Sequence, residues 1–400
     1  MPCRRGERPV SRIACRSTTI VLDLSALRHN LQTIRARLPQ GTGVIAVVKD
    51  NAYGHGAREI AEAALRAGAG ALAVATVGEA LELRAAGIGA PVLVFGPYAA
   101  SCVADAQAQG LTLTVFDRHQ VDLIRQGLSP LLPPLRVHLK VDTGMRRYGF
   151  RSPDEAADAV RALRSLGRVE VEGLYSHYAA ADDLDGDSAD GQFARFQAMA
   201  AALGEAGLLP PVLHFSNSAA ALRYPERSLS AVRLGIALYG LSPAPGFLER
   251  LGIALRPVLT LRSSIAQVVE VPAGTAVSYG GTYVADRPRR LATVPVGYGD
   301  GYDRRFSNRG EVLVRGRRVP VVGRVTMDAI VVDVTDVPQA APGEEVVVIG
   351  RQGSEAITAE ALAEALGTIP YEVVTRLSRR IPRVVVEGEA DGPAAGAVGA

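Results

Sequence analysis

Lysine is nearly missing from this 400-residue chain: of 44 basic residues only Lys49 and Lys140 are lysine, and every other one is arginine. Arginine stays protonated, whereas a desolvated lysine can lose its proton and attack a carbonyl or carbon dioxide. In a sequence rich in Arg, Ala, Gly and Pro, where composition drifts toward arginine at little cost, each remaining lysine is a candidate for amine chemistry. Cysteine is also sparse. Cys3, Cys15 and Cys102 form no CxxC pair and no even framework, which points to reduced, cytoplasmic surroundings without a structural metal. No apolar run reaches the ~18 residues that cross a bilayer. The basic opening MPCRRGERPVSRIACRSTT lacks the apolar stretch of ~7–15 residues that a signal peptide needs. Blocks of positive charge are missing too: 44 Lys and Arg meet 41 Asp and Glu for a net charge of +3, spread along the chain, which excludes a strongly basic nucleic-acid binder. Nor does a GxGxxG stand between a strand and a helix, so a nucleotide-binding doubly wound sheet has no support.

What is present is ordinary globular material, 48% hydrophobic and 21% charged, in a length that suits two domains. SALRHNLQTIRARL, from Ser25, places Leu27, Leu31 and Ile34 at helical spacing after the candidate N-cap Asp23. Eight apolar runs then alternate with helical stretches: 44–49, 71–75, 92–95, 111–115, 135–141, 169–176, 212–216 and 232–240. Strands apolar along their whole length suit a parallel sheet covered by helices, so the pattern predicts a (β/α)8 TIM-type barrel. After about Leu255 short strands are separated by Gly/Pro turns, with one helical piece at Thr358–Leu366, which reads as a mostly antiparallel β domain. The expected organisation is a flexible tail over 1–20, a barrel over 21–254, the β domain over 255–386 and a disordered Gly/Ala-rich tail over 387–400.

Lys49 ends the first predicted strand, where a barrel of this kind gathers its catalytic residues. It lies in AVVKDNAYGHG. With HLKVDTGMRRYGF, SHYAAAD, HFSNSAA, RLGIALYG, VSYGGTY, GYGDGY, GRVTMD and YEVVTRLSRRIPR following in order, the chain from about Val21 to Val386 resembles the bacterial alanine racemases, which depend on pyridoxal phosphate. The resemblance implies interconversion of L- and D-alanine in the cytoplasm, supplying D-alanine for peptidoglycan, by a homodimer whose active sites are shared between subunits. It implies no metal, no membrane and no nucleic acid.

Residue by residue, it makes Lys49 the covalent anchor of the cofactor and the base for the D-enantiomer. Tyr279 becomes the base for the L-enantiomer, reaching the partner subunit's site, with His177 supporting it. Racemisation moves a proton from one face of Cα to the other, so two bases are a mechanistic expectation. Arg233 matches the residue facing the pyridine nitrogen, His214 the histidine behind it, and Asn217 a neighbour of the cofactor. Ser218, the amides of Gly235 and Ile236, Tyr53 and Tyr371 match the phosphate ligands. Lys140 matches a lysine that many members carry as a carbamate, which holds Arg147 toward the substrate carboxylate. Met327 matches a residue whose amide binds that carboxylate, with Asp328 beside it, and Tyr298, Arg304 and Ile369 match the entry corridor. Four positions depart from the family pattern: Asp50 for alanine, Arg146 for glycine, Gly299 for alanine and Thr326 for cysteine. In a strand neighbouring side chains point oppositely, so Asp50 is expected to face away from Lys49. Two other readings compete: an amino-acid decarboxylase, disfavoured by Tyr279 and by an arginine rather than an acid at the ring nitrogen, and a non-catalytic cofactor carrier, disfavoured by the second domain.

Overall fold

A computed structural model describes residues 8–9, 16–186 and 188–387. The chain divides into a barrel unit, Asn30–Leu238 with Ser242–Leu255, and a β unit drawn from both ends of the chain together with Tyr239–Leu241.

The barrel is closed by eight parallel strands, Gly43–Val47, Ala71–Val74, Val92–Val94, Thr112–Val115, Leu135–Lys140, Val169–Tyr175, Val212–His214 and Ala231–Leu234, the last returning to pair with the first. All eight coincide with predicted runs. The eighth stops six residues short of its predicted end, because Gly235 turns the chain into the 3-10 segment Ile236–Tyr239. Side chains of Ile45, Val47, Ala73, Leu93 and Ala231 pack together in one buried cluster, with Tyr53 and Phe95 against it. Helices between the strands start on side-chain caps that satisfy amides the helix itself leaves open: Thr76, Asp117, Ser152 and Asn217. Asp23 likewise accepts from the amides of Ser25 and Ala26, as its position before the first helix predicts.

The β unit is built on a mixed sheet running Arg8–Pro9, Arg383–Val386, Thr19–Asp23, Leu259–Ser264, Glu345–Gln352, Glu311–Val314 and Arg317–Pro320. Thr19–Asp23 and Arg383–Val386 are parallel and the other pairs antiparallel. Glu355–Ile357 pairs with Glu345–Gln352 as an eighth strand, and a three-stranded sheet (Gln267–Val271, Arg289–Val294, Ile330–Asp333) and a small hairpin (Ala276–Val277, Tyr283–Val284) complete the unit. The expected boundary at residue 21 therefore shifts. Thr19–Asp23 belongs to this sheet rather than to the barrel, since a strand's partner cannot be read from the strand alone. The tail expected to be flexible through residue 20 is fixed from Arg16 on: Thr18 is buried, and its hydroxyl hydrogen-bonds Ser263 and Pro295. Residues 1–7, 10–15 and 388–400 of the two expected tails lie outside the described residues. No helix among the described residues is long and apolar enough to cross a membrane.

Candidate active site

Ile45 and Val47 pack in the buried cluster of the barrel, and the first barrel strand stops at Val47, after which Val48 (φ −116°, ψ 18°) leads into Lys49. There the extended conformation ends. Lys49–Tyr53 wind into a left-handed turn with φ of 52–55° from Asp50 to Tyr53. Asp50 consequently does not face away as expected; its Oδ2 lies 3.5 Å from Lys49 Nζ. Aspartate and asparagine enter the left-handed region more readily than most side chains, and Glu79 holds the turn from outside. One of its oxygens accepts from the Asp50 amide at 2.6 Å, the other from the amides of Ala75 and Thr76 at 2.7 and 3.1 Å. The Lys49–Asp50 pair is partly exposed and adds little stability; its effect is a carboxylate at the amine.

Tyr53 leads from this turn to the eighth strand. A side-chain carbon on Gly235 would sit 2.7 Å from the Tyr53 hydroxyl, so the glycine is what admits the phenol. Burial first, and then the Asp50 charge, push the Tyr53 pKa upward, so it remains a donor. The Gly235 amide donates to Ser218 Oγ at 2.9 Å. Ile236 opens a 3-10 turn whose first amides the turn does not consume. Asn217 uses its carboxamide oxygen to cap the helix Ser218–Arg223, accepting from Ala220 at 3.0 Å, which fixes where Ser218 points. Amides and neutral hydroxyls converging after the seventh and eighth strands suit a phosphate.

Arg233 is 3% exposed. Nη1 donates to His214 Nδ1 (2.7 Å) and His214 O (3.2 Å), and Nη2 to Ser176 O (2.7 Å), Phe215 O (2.9 Å) and His177 Nδ1 (3.1 Å). Burial lowers its pKa to about 10, which still leaves a full charge at neutral pH. His177 is kept neutral, its pKa driven well below the ordinary imidazole value by burial and then by Arg233, Lys140, Arg147 and Lys49. Because its Nδ1 accepts from arginine, its proton sits on Nε2. Tyr175, to which the sequence reading gave no role, fills the centre. Its ring stacks on His214 (4.7 Å, 9°) and lies 5.2 Å from the Arg233 guanidinium and 5.6 Å from Lys140 Nζ. Its hydroxyl bonds Thr114, and burial pushes its pKa up to about 12. An amine at a strand end, a guanidinium two residues before a glycine, and a cradle of donors around that glycine fit a phosphorylated pyridine aldehyde.

Lys140 ends the fifth strand, 6% exposed. Burial, then the charges of Arg147 and Arg233, lower its pKa to about 7. A large share of this amine is neutral at physiological pH. The following loop folds around Asp142, whose Oδ1 accepts from the amides of Gly144 (2.9 Å) and Arg146 (3.0 Å). Arg146, where the family pattern has glycine, is held at φ 58°, a conformation costing about 1 kcal/mol for a residue with a Cβ. Arg147 beside it is exposed.

In the β unit Tyr279 stands at the tip of the hairpin Ala276–Val284, in the turn Tyr279–Gly281, 73% exposed. Ser278 before it takes a positive φ of 61° and donates its hydroxyl to Arg324 O at 2.7 Å, which pins the hairpin. Met327, Tyr298 and Ile369 are exposed large apolar side chains too. Arg304 is exposed, and Tyr371 is half-buried in the helix Pro370–Thr375. Thr326 fixes the turn under Met327 by bonding Ala329 in both directions, at 2.7 and 3.1 Å. The amides of Tyr298 and Gly299 donate to the carbonyls of Thr326 and Met327 at 3.0 and 2.9 Å, stitching the two segments together. Gly299 makes room for Arg380: a Cβ there would meet its Nη2 at 2.6 Å.

Arg380 bridges Asp328 (2.7 Å) and the fully buried Asp300 (2.8 Å), which Arg16 also holds at 2.5 Å. Asp300 and Arg380 fall within GYGDGY and YEVVTRLSRRIPR, but neither they nor Arg16 carried an expected role. Hydrogen bonds from Arg16, Arg380 and the Gly297 amide outweigh burial and hold the Asp300 carboxyl below the ordinary carboxylate value. The folded chain thus binds that proton less readily than the unfolded one. The resulting stabilisation is present above the unfolded pKa and is lost as pH falls through the folded pKa. Asp300→Asn is expected to cost about 2 kcal/mol at neutral pH, and urea titrations should show that gap narrowing toward strongly acid pH.

The family model of the alanine racemase N-terminal domain matches residues 22–243, and that of the C-terminal domain residues 258–385. An alanine racemase of Desulfovibrio desulfuricans is 44% identical over 366 residues, covering 92% of this chain and 97% of that protein. The crystal structure of alanine racemase from Bacillus anthracis with bound L-Ala-P superposes with a TM-score of 0.89 at 40% identity, covering 93% of this chain and 96% of the other. A histidine racemase from Leuconostoc mesenteroides also superposes, at TM-score 0.86 and 30% identity over 94% and 99% of the two chains.

Proposed function

The chain belongs to the alanine racemase family, and on that premise we propose that it interconverts L- and D-alanine on pyridoxal phosphate with Lys49 and Tyr279 as its two bases, supplying D-alanine for peptidoglycan. The observation that carries the reading is that the strand leading to the Lys49–Tyr53 turn pairs with the strand of Arg233, Arg233 lying opposite Ile45, and that Gly235 closes on the Tyr53 hydroxyl of that turn. Pyridoxal phosphate, when bound, supplies an aldehyde for covalent attachment and a ring that spreads the electrons of a broken Cα–H bond.

The chain's own groups do the rest. Ser218, Tyr53, Tyr371 and the amides of Gly235 and Ile236 hold the phosphate, with Asn217 setting Ser218 in place. Arg233 offers the ring nitrogen a donor that does not surrender its proton at neutral pH, which limits how far charge is drawn into the ring. Lys49 takes and returns the proton on the D face, and Tyr279 on the L face. A phenol of ordinary pKa ~10 needs help as a base; the Nε2–H of His177 is a donor that favours the phenolate. Tyr279, Met327, Tyr298 and Ile369 are too apolar and too exposed for a chain that works alone. This supports a homodimer in which Tyr279 enters the partner subunit's site, with Met327 and Asp328 at the substrate carboxylate and Tyr298, Arg304 and Ile369 lining the way in. Lys140, partly neutral and ringed by cations, is a ready amine for carbon dioxide. The carbamate formed, with loss of one proton, turns repulsion of Arg147 into charge-assisted hydrogen bonds.

The test is a panel of L-alanine, L-serine and L-histidine in deuterated water. Loss of optical activity with one deuterium entering Cα is expected fastest with alanine. Carbon dioxide release would instead identify a decarboxylase, and preference for histidine would overturn the substrate.

A further inference from the structure

Arg233 is buried, and among the described residues no carboxylate touches it; its guanidinium is nevertheless joined to one through two imidazoles. Nη1 donates to His214 Nδ1 at 2.7 Å, His214 Nε2 lies 2.9 Å from His138 Nδ1, and His138 Nε2 lies 3.3 Å from Glu172 Oε2. The proton positions along this row are forced. An arginine N–H only donates, so His214 Nδ1 accepts. His214 is neutral, its pKa driven far below the ordinary value by burial and then by Arg233 and His138. Its single proton must therefore sit on Nε2 and point at His138 Nδ1. That nitrogen accepts in turn, which puts the His138 proton on Nε2, facing a carboxylate that the bond from His138 helps keep ionised.

The backbone makes room for the row. The strands Leu135–Lys140 and Val169–Tyr175 slip register between Val137 and His138, which sets His138 opposite Gly173. A Cβ on Gly173 would strike the His138 ring at 2.6 Å. Tyr175, stacked on His214, fixes the plane of the other ring.

We propose that Glu172 is a positioning residue for Arg233, acting through His138 and His214 to lock the tautomer in which His214 accepts from the guanidinium. Without an acceptor at Glu172 the His138 proton is free to move to Nδ1. Two N–H groups then oppose each other, His214 is driven to place its proton on Nδ1, and Arg233 loses a partner. The consequence for catalysis rests on Arg233 facing the ring nitrogen; the tautomers do not.

The experiment compares holoenzyme of the wild type, Glu172→Gln, whose amide oxygen still accepts from His138, and Glu172→Leu, which has no acceptor. Six histidines are few enough for ring-nitrogen NMR signals to be assigned. Wild type and Glu172→Gln should show His138 and His214 neutral with the proton on Nε2, and Glu172→Leu should move at least one proton to Nδ1. Racemisation should slow by about tenfold or more in kcat for Glu172→Leu with KM nearly unchanged, and recover most of the rate in Glu172→Gln. Wild-type tautomers in Glu172→Leu would overturn the proposal, as would a Glu172→Gln variant as slow as Glu172→Leu. Tautomers that respond as expected in a protein that does not racemise alanine would leave the row standing and remove the proposed reaction instead.

Discussion

Lys49→Ala and Tyr279→Ala subunits, each inactive alone by about 10³-fold or more, should recover about a quarter of wild-type activity when they exchange at equal ratio. The arithmetic follows from a two-fold dimer with sites built from both chains. Random pairing makes about half of the dimers mixed, and each mixed dimer gathers both lesions into one site and leaves the other whole. Two different affinity tags allow the mixed species to be isolated, where the expected value is about half. Mixed dimers that stay inactive would mean that Tyr279 serves its own subunit's site, and a Tyr279→Ala homodimer with full activity would remove it as a base. The experiment draws on the two features that support the reading from opposite units: an amine at the end of the first barrel strand, and a tyrosine on a pinned hairpin that its own chain leaves 73% exposed.

The second large effect falls on stability. Arg233→Ala removes a guanidinium making five hydrogen bonds to two imidazoles and three carbonyls in a buried pocket. Each acceptor left dry costs about 1–3 kcal/mol, and the missing side chain opens a cavity as well. A loss of about 5 kcal/mol or more is expected, enough to consume much of a domain's stability. Arg233→Lys keeps the charge but has no planar fork to reach carbonyls of two strands at once, so it should fall between. Chemical denaturation of the three proteins checks the order, and a barrel insensitive to Arg233→Ala would refute this account of the pocket.

Most of the barrel was legible because its strands are short, apolar and separated by amphipathic helices, a pattern with few alternatives. The misreadings fall where backbone geometry departs from regular elements. AVVK continues a strand by composition, yet Lys49–Tyr53 is a left-handed turn; the pair Asp50–Asn51, both tolerant of positive φ, was the available signal. Because of that turn the extra carboxylate faces the amine. Thr19–Asp23 was divided between the expected tail and the expected barrel, and TIVLD carries no mark of its partners, so its place beside Arg383–Val386 comes from the structure. Lys49, Lys140 and Arg233 were findable as rare or matched residues. His138, Glu172 and Tyr175 were not, since they act through one another across neighbouring strands and no spacing along a single strand records that.

The pairing of Ile20 with Arg383 in parallel has a consequence for how the protein is made. On the ribosome the barrel's strands are all available once residue 234 has emerged, and nearest-neighbour closure can proceed. The early strand Thr19–Asp23 has to wait until Arg383–Val386 has emerged before its neighbour exists, a long-range contact of the slow kind. Until then one of its edges is bare, a template for unwanted strand pairing. A premature stop or a proteolytic cut before Arg383 would make that exposure permanent, so nonsense truncation near the C-terminus should yield aggregating chains rather than a merely weakened enzyme.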